Sequence, residues 1–307
     1  MTAPIAQRHL TMKGWGLLLL LALIWGGSFT ANHAALAQMP VASVVAFRVS
    51  GAALVLWAYI ALARLPVPKT WAFARSALVL GVFNNIIPFS LIVWGQTHIP
   101  SGLAGILNAS TALFSVLLAA ALFPDERLGP RRLIGVILGL AGVAVVIGPA
   151  ALRHLDLTSL GQLAILGAGM SYAGAAAFGR QALKGIRPEV GAAGMLTASA
   201  LIMVPAALAL GGLPPLPQAQ TWAALLYLAV IASALAYRLF YTILQQAGAG
   251  NLGLVTLLIA PCAVVFGAVL FGETLPPQAF GGMVLLMAGM IVLDGRPLLW
   301  LAARFSA

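Results

Sequence analysis

The chain is 307 residues long, 62% hydrophobic and only 7% charged, with a mean hydropathy of +1.04 and a formal net charge of +10. Such a composition excludes a soluble globular protein, in which about a quarter of residues are charged. The basic excess points to a nucleic-acid partner only if topology leaves it unexplained.

A helix crosses a bilayer with about 20 apolar residues, and ten such runs are predicted, at 14–36, 41–63, 73–95, 100–123, 130–149, 159–182, 189–211, 221–245, 249–271 and 277–294. Stretches such as GWGLLLLLALIWGG and VILGLAGVAVVIG are continuously apolar and lack the alternation of barrel strands. The expected fold class is therefore an all-α polytopic membrane protein. The first run follows Arg8 and Lys13 as a signal peptide would. From Trp15 to Leu36, however, it outruns an h-region of about 7–15 residues and is read as a retained helix.

On this topology 13 of the 16 lysines and arginines fall on one side, Arg153 alone lies on the other, and Arg48 and Arg238 lie within helices. The bias predicts that both termini are cytoplasmic. The positive charge is thus topological, and no nucleic-acid partner is expected.

In the first span, Trp25 stands near mid-helix beside Gly26 and Gly27. It either packs there or stacks on a planar substrate, and His33 near the end of the span is read as packed or interfacial. Arg48 in the second span and Arg238 in the eighth sit where an arginine costs about 2.5–3.5 kcal/mol. Snorkelling to the headgroups is one reading of both; for Arg238 the alternative is contact with an anionic substrate.

The third span contains VFNNIIPFS. Pro88 has no N–H, so the carbonyl of Asn84 loses its helical partner, and in hydrocarbon an unbonded carbonyl costs several kcal/mol. Asn84 and Asn85 supply amide groups at that spot, which is tolerable against protein or a wet cavity. Phe89 and Gln96 continue the face of Asn85. Along the fourth span Ser101, Asn108, Thr111 and Ser115 form one polar stripe. In the eighth, Ser233, Tyr237 and Tyr241 share a face and Arg238, Thr242 and Gln245 the neighbouring one. In the ninth, Pro261 frees the carbonyl of Leu257 next to Thr256. The substrate path is expected to be lined by Asn84, Asn85, Phe89, Gln96, Asn108, Thr111, Ser115, Tyr237, Arg238, Tyr241 and Thr256, with Pro88 and Pro261 as hinges. The plainer alternative is that the asparagines only join packed helices.

Cys262 is the single cysteine and is assigned to packing. No cofactor motif or metal-ligand cluster is present, so neither is expected. No Asp or Glu lies at the centre of a predicted span, which disfavours a carboxylate-driven proton antiporter. Glu126 and Glu273 precede the fifth and tenth spans and are read as partners of those helices' N-termini. Small residues, including GVILG at 135–139, suit close helix packing; whether one chain or two supply it is open.

The chain is written twice. ERLGPRRLIGVILGLAGVAVVIG at 126–148 and ETLPPQAFGGMVLLMAGMIVLDG at 273–295 share nine identities without a gap, and the same offset pairs Trp25 with Tyr172. The expected domains are 14–149 and 159–295. Because each holds five spans, the second enters the membrane from the opposite side, an inverted repeat of the kind found in secondary transporters.

Together with LALIWGGSFT, this repeat resembles the EamA-type transporters of the drug/metabolite transporter superfamily, and within it the YddG-like exporters of aromatic amino acids and related metabolites. The resemblance implies ten helices as two inverted five-helix repeats around a central cavity lined by the third, fourth, eighth and ninth. It implies a secondary transporter of the cell inner membrane rather than an enzyme. The residues themselves favour a small amphipathic substrate, such as a bulky or aromatic amino acid or a lipophilic cation, over a phosphorylated one, which would call for converging Lys or Arg. A channel remains an alternative, although no ring of charge is visible. Ser28 with His33 is the best approach to an intramembrane enzyme site. Beyond substrate and bilayer no partner is implied, and a monomer and a homodimer are both compatible.

Overall fold

The computed structural model describes residues 12–122, 129–147, 157–212, 216–240, 242–243 and 254–294. Among these, every regular element is helical. The α-helices are α1 (Met12–Leu36), α2 (Val41–Leu62), α3 (Trp71–Leu80), α4 (Ile87–Gly95), α5 (Ser101–Asn108), α6 (Thr111–Leu122), α7 (Pro130–Ile147), α8 (Leu157–Ala182), α9 (Pro188–Gly211), α10 (Ala219–Leu226), α11 (Leu254–Phe271) and α12 (Pro277–Asp294).

Two π-helical stretches interrupt this pattern. Gly81–Ile86 joins α3 to α4, and Tyr227–Leu235 continues α10. Each is marked by a wide i→i−5 bond, from the N–H of Ile87 to the carbonyl of Val82 and from Ala236 to Ile231. Pro88 accounts for the first by withholding the donor an α-turn needs. The second contains no proline, so the wide turn there has another origin. The fourth predicted span is also broken, at Ala109–Ser110, where tight bonds to Ile106 and Leu107 separate α5 from α6. Pro261, by contrast, sits inside the continuous α11.

Local signals set the ends. Pro130, Pro188 and Pro277 each open a helix, where the missing N–H has no partner to lose. The Thr70 hydroxyl accepts from the N–H of Phe73 at 3.2 Å and caps α3. Gly212 (φ 66°) and Gly272 (φ 62°) follow α9 and α11 at positive φ, which glycine adopts without a side-chain clash.

Among the described residues seven helical spans are long and apolar enough to cross a membrane: Met12–Leu36, Val41–Leu62, Trp71–Gly95, Ser101–Leu122, Pro130–Ile147, Pro188–Gly211 and Ala219–Phe240. Ten were expected. Leu157–Ala182 has the length, at 26 residues, but Gln162, Ser171 and its glycines and alanines dilute its apolar character. Leu258–Phe271 and Pro277–Leu293 are apolar but shorter.

Helix pairing is systematic: α7 lies along α12, α2 along α9, α1 along α11, and α8 along α4 and α6. Glycines permit the closest approaches. A Cβ on Gly142 would stand 2.5 Å from the backbone N of Leu286, and one on Gly289 2.5 Å from the N of Gly139. The small residues expected to pack closely therefore join two helices of the same chain. Two buried apolar clusters result, one around α1, α5, α8 and α11, the other around α2, α9 and α10, and Tyr172 packs against both.

Candidate functional site

The two π-helical stretches face the same region. Asn85 is fully buried. Its Nδ2 donates to Ser199 Oγ on α9 at 3.1 Å, and its Oδ1 accepts from the Tyr237 hydroxyl at 3.1 Å. Asn84 Nδ2 lies 3.0 Å from the Tyr237 oxygen and 3.3 Å from Asn85 Oδ1. Ser199 passes the chain on to the carbonyls of Gly81 and Met195. The wide turn thus brings two neighbouring carboxamides within reach of Tyr237, and α9 supplies Ser199 as a further partner for Asn85.

The second stretch makes a similar set of contacts with α1 and α2. Arg48 Nε donates to Ser233 Oγ at 3.0 Å. Trp25 Nε1 donates to the carbonyl of Ala232 at 3.2 Å, and the Tyr227 hydroxyl to the carbonyl of Ile24 at 2.8 Å. The guanidinium of Arg48 also lies over the Phe89 ring, 4.0 Å from its centroid. Both sequence readings of Trp25 involved its ring; what the structure adds is its indole N–H, which serves the loosened backbone.

The two arginines part company. Arg48 is 6% exposed, so it does not snorkel. Arg238 is exposed and stacks on Tyr59 at 4.1 Å. Sequence reasoning raised the anion-binding option for Arg238 alone and read Arg48 as snorkelling, a reading its burial overturns. Hydropathy gives no sign of which face of α2 turns inward.

Gln96 belongs to a second set. It is buried, accepts from Asn32 Nδ2 at 3.0 Å and donates to the carbonyl of Phe29 at 2.8 Å. It also lines a cavity of about 410 Å³ at the end of the bundle where α1 and α4 stop, together with His33, Gln38, Gln218, Thr221 and Phe271. His33 packs on Phe271, ring centroids 4.7 Å apart. Asn32 was not singled out from the sequence; an asparagine near the C-terminal end of a long apolar helix was the available signal.

The stripe on the fourth span divides. Ser101 is buried and donates to Glu273, whereas Asn108 and Thr111 flank the break between α5 and α6, Thr111 Oγ1 donating to the Asn108 carbonyl at 2.7 Å. Asn108 Oδ1 is buried and has no hydrogen-bond partner among the described residues. Ser115 and Thr256 are half-buried, and Thr256 has a partner. Tyr241 and Glu126 lie outside the described residues. Glu273 does not serve its own helix α12, as expected, but binds the first N–H groups of α5. The reason is reach: Gly267 offers no side chain to obstruct the carboxylate as it crosses to Ser101.

Amide, hydroxyl and guanidinium groups gathered between long apolar helices are characteristic of a membrane carrier, because hydrocarbon tolerates such groups only where protein or water faces them. The chain belongs to the EamA-like transporter family, whose model matches residues 12–148 and again 159–293. It is 28% identical over 293 residues to a probable amino-acid metabolite efflux pump of Salmonella typhimurium, covering 92% of this chain and 95% of the relative. It is 27% identical to a probable terminal-alkyne amino-acid exporter of Streptantibioticus cattleyicolor, covering 92% and 93%. It is 25% identical to the uncharacterized inner membrane transporter YedA of Escherichia coli, covering 85% and 84%. A solved structure only 20% identical superposes with a TM-score of 0.67 over 94% of this chain and 98% of its own, a likeness of fold.

Proposed function

We propose that this protein exports small amino-acid metabolites across the inner membrane by alternating access between two inverted halves. One observation carries the reading: the deep polar cluster is assembled from both family-matched segments. Arg48, Asn84 and Asn85 come from the first, Ser199, Ser233 and Tyr237 from the second. A site shared between repeats is where such carriers bind their cargo, and relative motion of the repeats opens it to either side.

In this reading the segments joined across the two π-helical stretches and across Ala109–Ser110 each make one crossing, for ten in all, five per half. The lysine and arginine bias sets both termini in the cytoplasm. The substrate path includes Asn84, Asn85, Phe89, Gln96, Asn108, Thr111, Ser115, Tyr237 and Thr256, with Pro88 and Pro261 as hinges. The names of the efflux-pump and exporter relatives support amino-acid-type cargo, and that of YedA supports the inner membrane. All six acidic residues fall at span ends or in loops, which favours movement down the substrate gradient without a carboxylate proton relay.

The test is efflux from proteoliposomes loaded with radiolabelled amino acids. Saturable efflux of at least one bulky or aromatic amino acid, inhibited by competing ligands, is the expected result. A conductance that does not saturate would replace the carrier with a channel, and no amino-acid flux at all would defeat the assignment.

A further inference from the structure

Arg48 is a buried cation with no anion beside it among the described residues. Its Nε is taken by Ser233 Oγ and one face of its guanidinium by the Phe89 ring. Tyr172, Tyr227 and Tyr237 are its remaining electrostatic neighbours. Among the described residues no carboxylate pairs with it, and its two terminal nitrogens donate to no acceptor.

Taking an arginine out of water without a counter-charge costs several kcal/mol. Most of the surroundings are aromatic or neutral, so the protein itself does little to offset that cost. What remains available is the end of the guanidinium fork, two parallel N–H groups whose spacing matches the two oxygens of a carboxylate. Ser233 and Phe89 hold the fork still. One contact comes from a π-helical stretch and the other from the first turn after one, so the orientation of Arg48 is set jointly by both interrupted helices.

We propose that Arg48 binds the carboxylate of the transported molecule through its two terminal nitrogens, so that the cargo is a carboxylate-bearing metabolite rather than a lipophilic cation. This rests on the exporter reading above and narrows it. A cationic cargo lacking a carboxylate would meet a like charge in a region of low dielectric, where repulsion is poorly screened. The tyrosine rings nearby offer faces for an ammonium group or an aromatic side chain on the same molecule.

The experiment compares L-phenylalanine with L-phenylalaninamide, which differ only in the carboxylate, by binding and by efflux with the full-length protein. The wild type is expected to prefer the acid by at least tenfold. Arg48→Gln should bring that ratio to within twofold of one, and Arg48→Lys should keep part of it. Because each ratio is taken within one protein, a lower folded fraction does not imitate the effect. Should Arg48→Gln fail to fold, the wild type supplies a second readout: phenylglyoxal labelling of Arg48, followed by mass spectrometry, should be slowed by L-phenylalanine and not by the amide. Equal handling of the two probes by the wild type, an unchanged ratio in Arg48→Gln, or labelling indifferent to the acid overturns the inference and leaves the exporter reading standing. A wild type that moves neither probe nor any other amino acid overturns both.

Discussion

Glu273 and Ser101 are joined twice: the carboxylate accepts from the backbone N–H of Ser101 at 2.9 Å and from its hydroxyl at 2.9 Å, with the N–H of Gly102 adding a third bond at 3.0 Å. An acidic residue 172 positions away in sequence thereby does for α5 what a local cap does for most helices. Glu273→Ala is expected to lower stability by about 1 kcal/mol, with Glu273→Gln costing less because one oxygen still accepts. Thermal unfolding in detergent measures this, and an unshifted Glu273→Ala transition would contradict it.

Asn85, Tyr237 and Ser199 form a buried chain in which each link satisfies the next. Truncating Asn85 removes one hydrogen bond from each of Tyr237 and Ser199 inside the bundle, so Asn85→Ala should cost about 1–3 kcal/mol. In a double-mutant cycle with Tyr237→Phe, the coupling is expected at about 1 kcal/mol. Strict additivity in SDS-titration unfolding would show that the bond contributes nothing.

Along α7 and α12 the backbones themselves are in contact. A Cβ on Gly289 would lie 2.5 Å from the N of Gly139 and 2.7 Å from the carbonyl of Gly135, neither of which can swing aside. Gly289→Ala should destabilise by about 1–3 kcal/mol. Gly281→Ala, which points into open space, should stay within about 0.5 kcal/mol. The pair is read by yield and by melting temperature, and equal behaviour of the two variants would refute the close packing.

Pro88 and Pro261 test the proposed hinges. Replacing either with alanine restores a backbone donor, so turnover in proteoliposomes should change while stability moves by less than about 1 kcal/mol. Unchanged flux in both variants would remove the hinge role.

Much of this molecule was legible before any coordinates. The apolar runs follow from the length a bilayer demands, and the polar stripes on which Asn85 and Tyr237 lie follow from helical periodicity. Other features left no local trace. Arg48 and Arg238 look alike in sequence because hydropathy records depth but not the direction in which a side chain leaves its helix. Proline proved an incomplete guide to interruption: it accompanies the wide turn at Gly81–Ile86, but Tyr227–Leu235 and the break at Ala109–Ser110 occur without it, and α11 carries Pro261 unbroken. The partner of Glu273 is set by tertiary proximity, which no local pattern of charge encodes.

The wide turn at Gly81–Ile86 has a geometric effect beyond its hydrogen bonds. Each residue advances an α-helix by about 100°, so a turn that absorbs a surplus residue shifts the phase of everything after it by roughly that angle. The lipid-facing edge of α3 and that of α4 consequently follow different tracks along the sequence. A single helical wheel drawn through Trp71–Gly95 superimposes two amphipathic patterns out of step. The discontinuity lets Asn84 and Asn85, adjacent in sequence, engage the same tyrosine while both flanking helices keep their greasy sides outward.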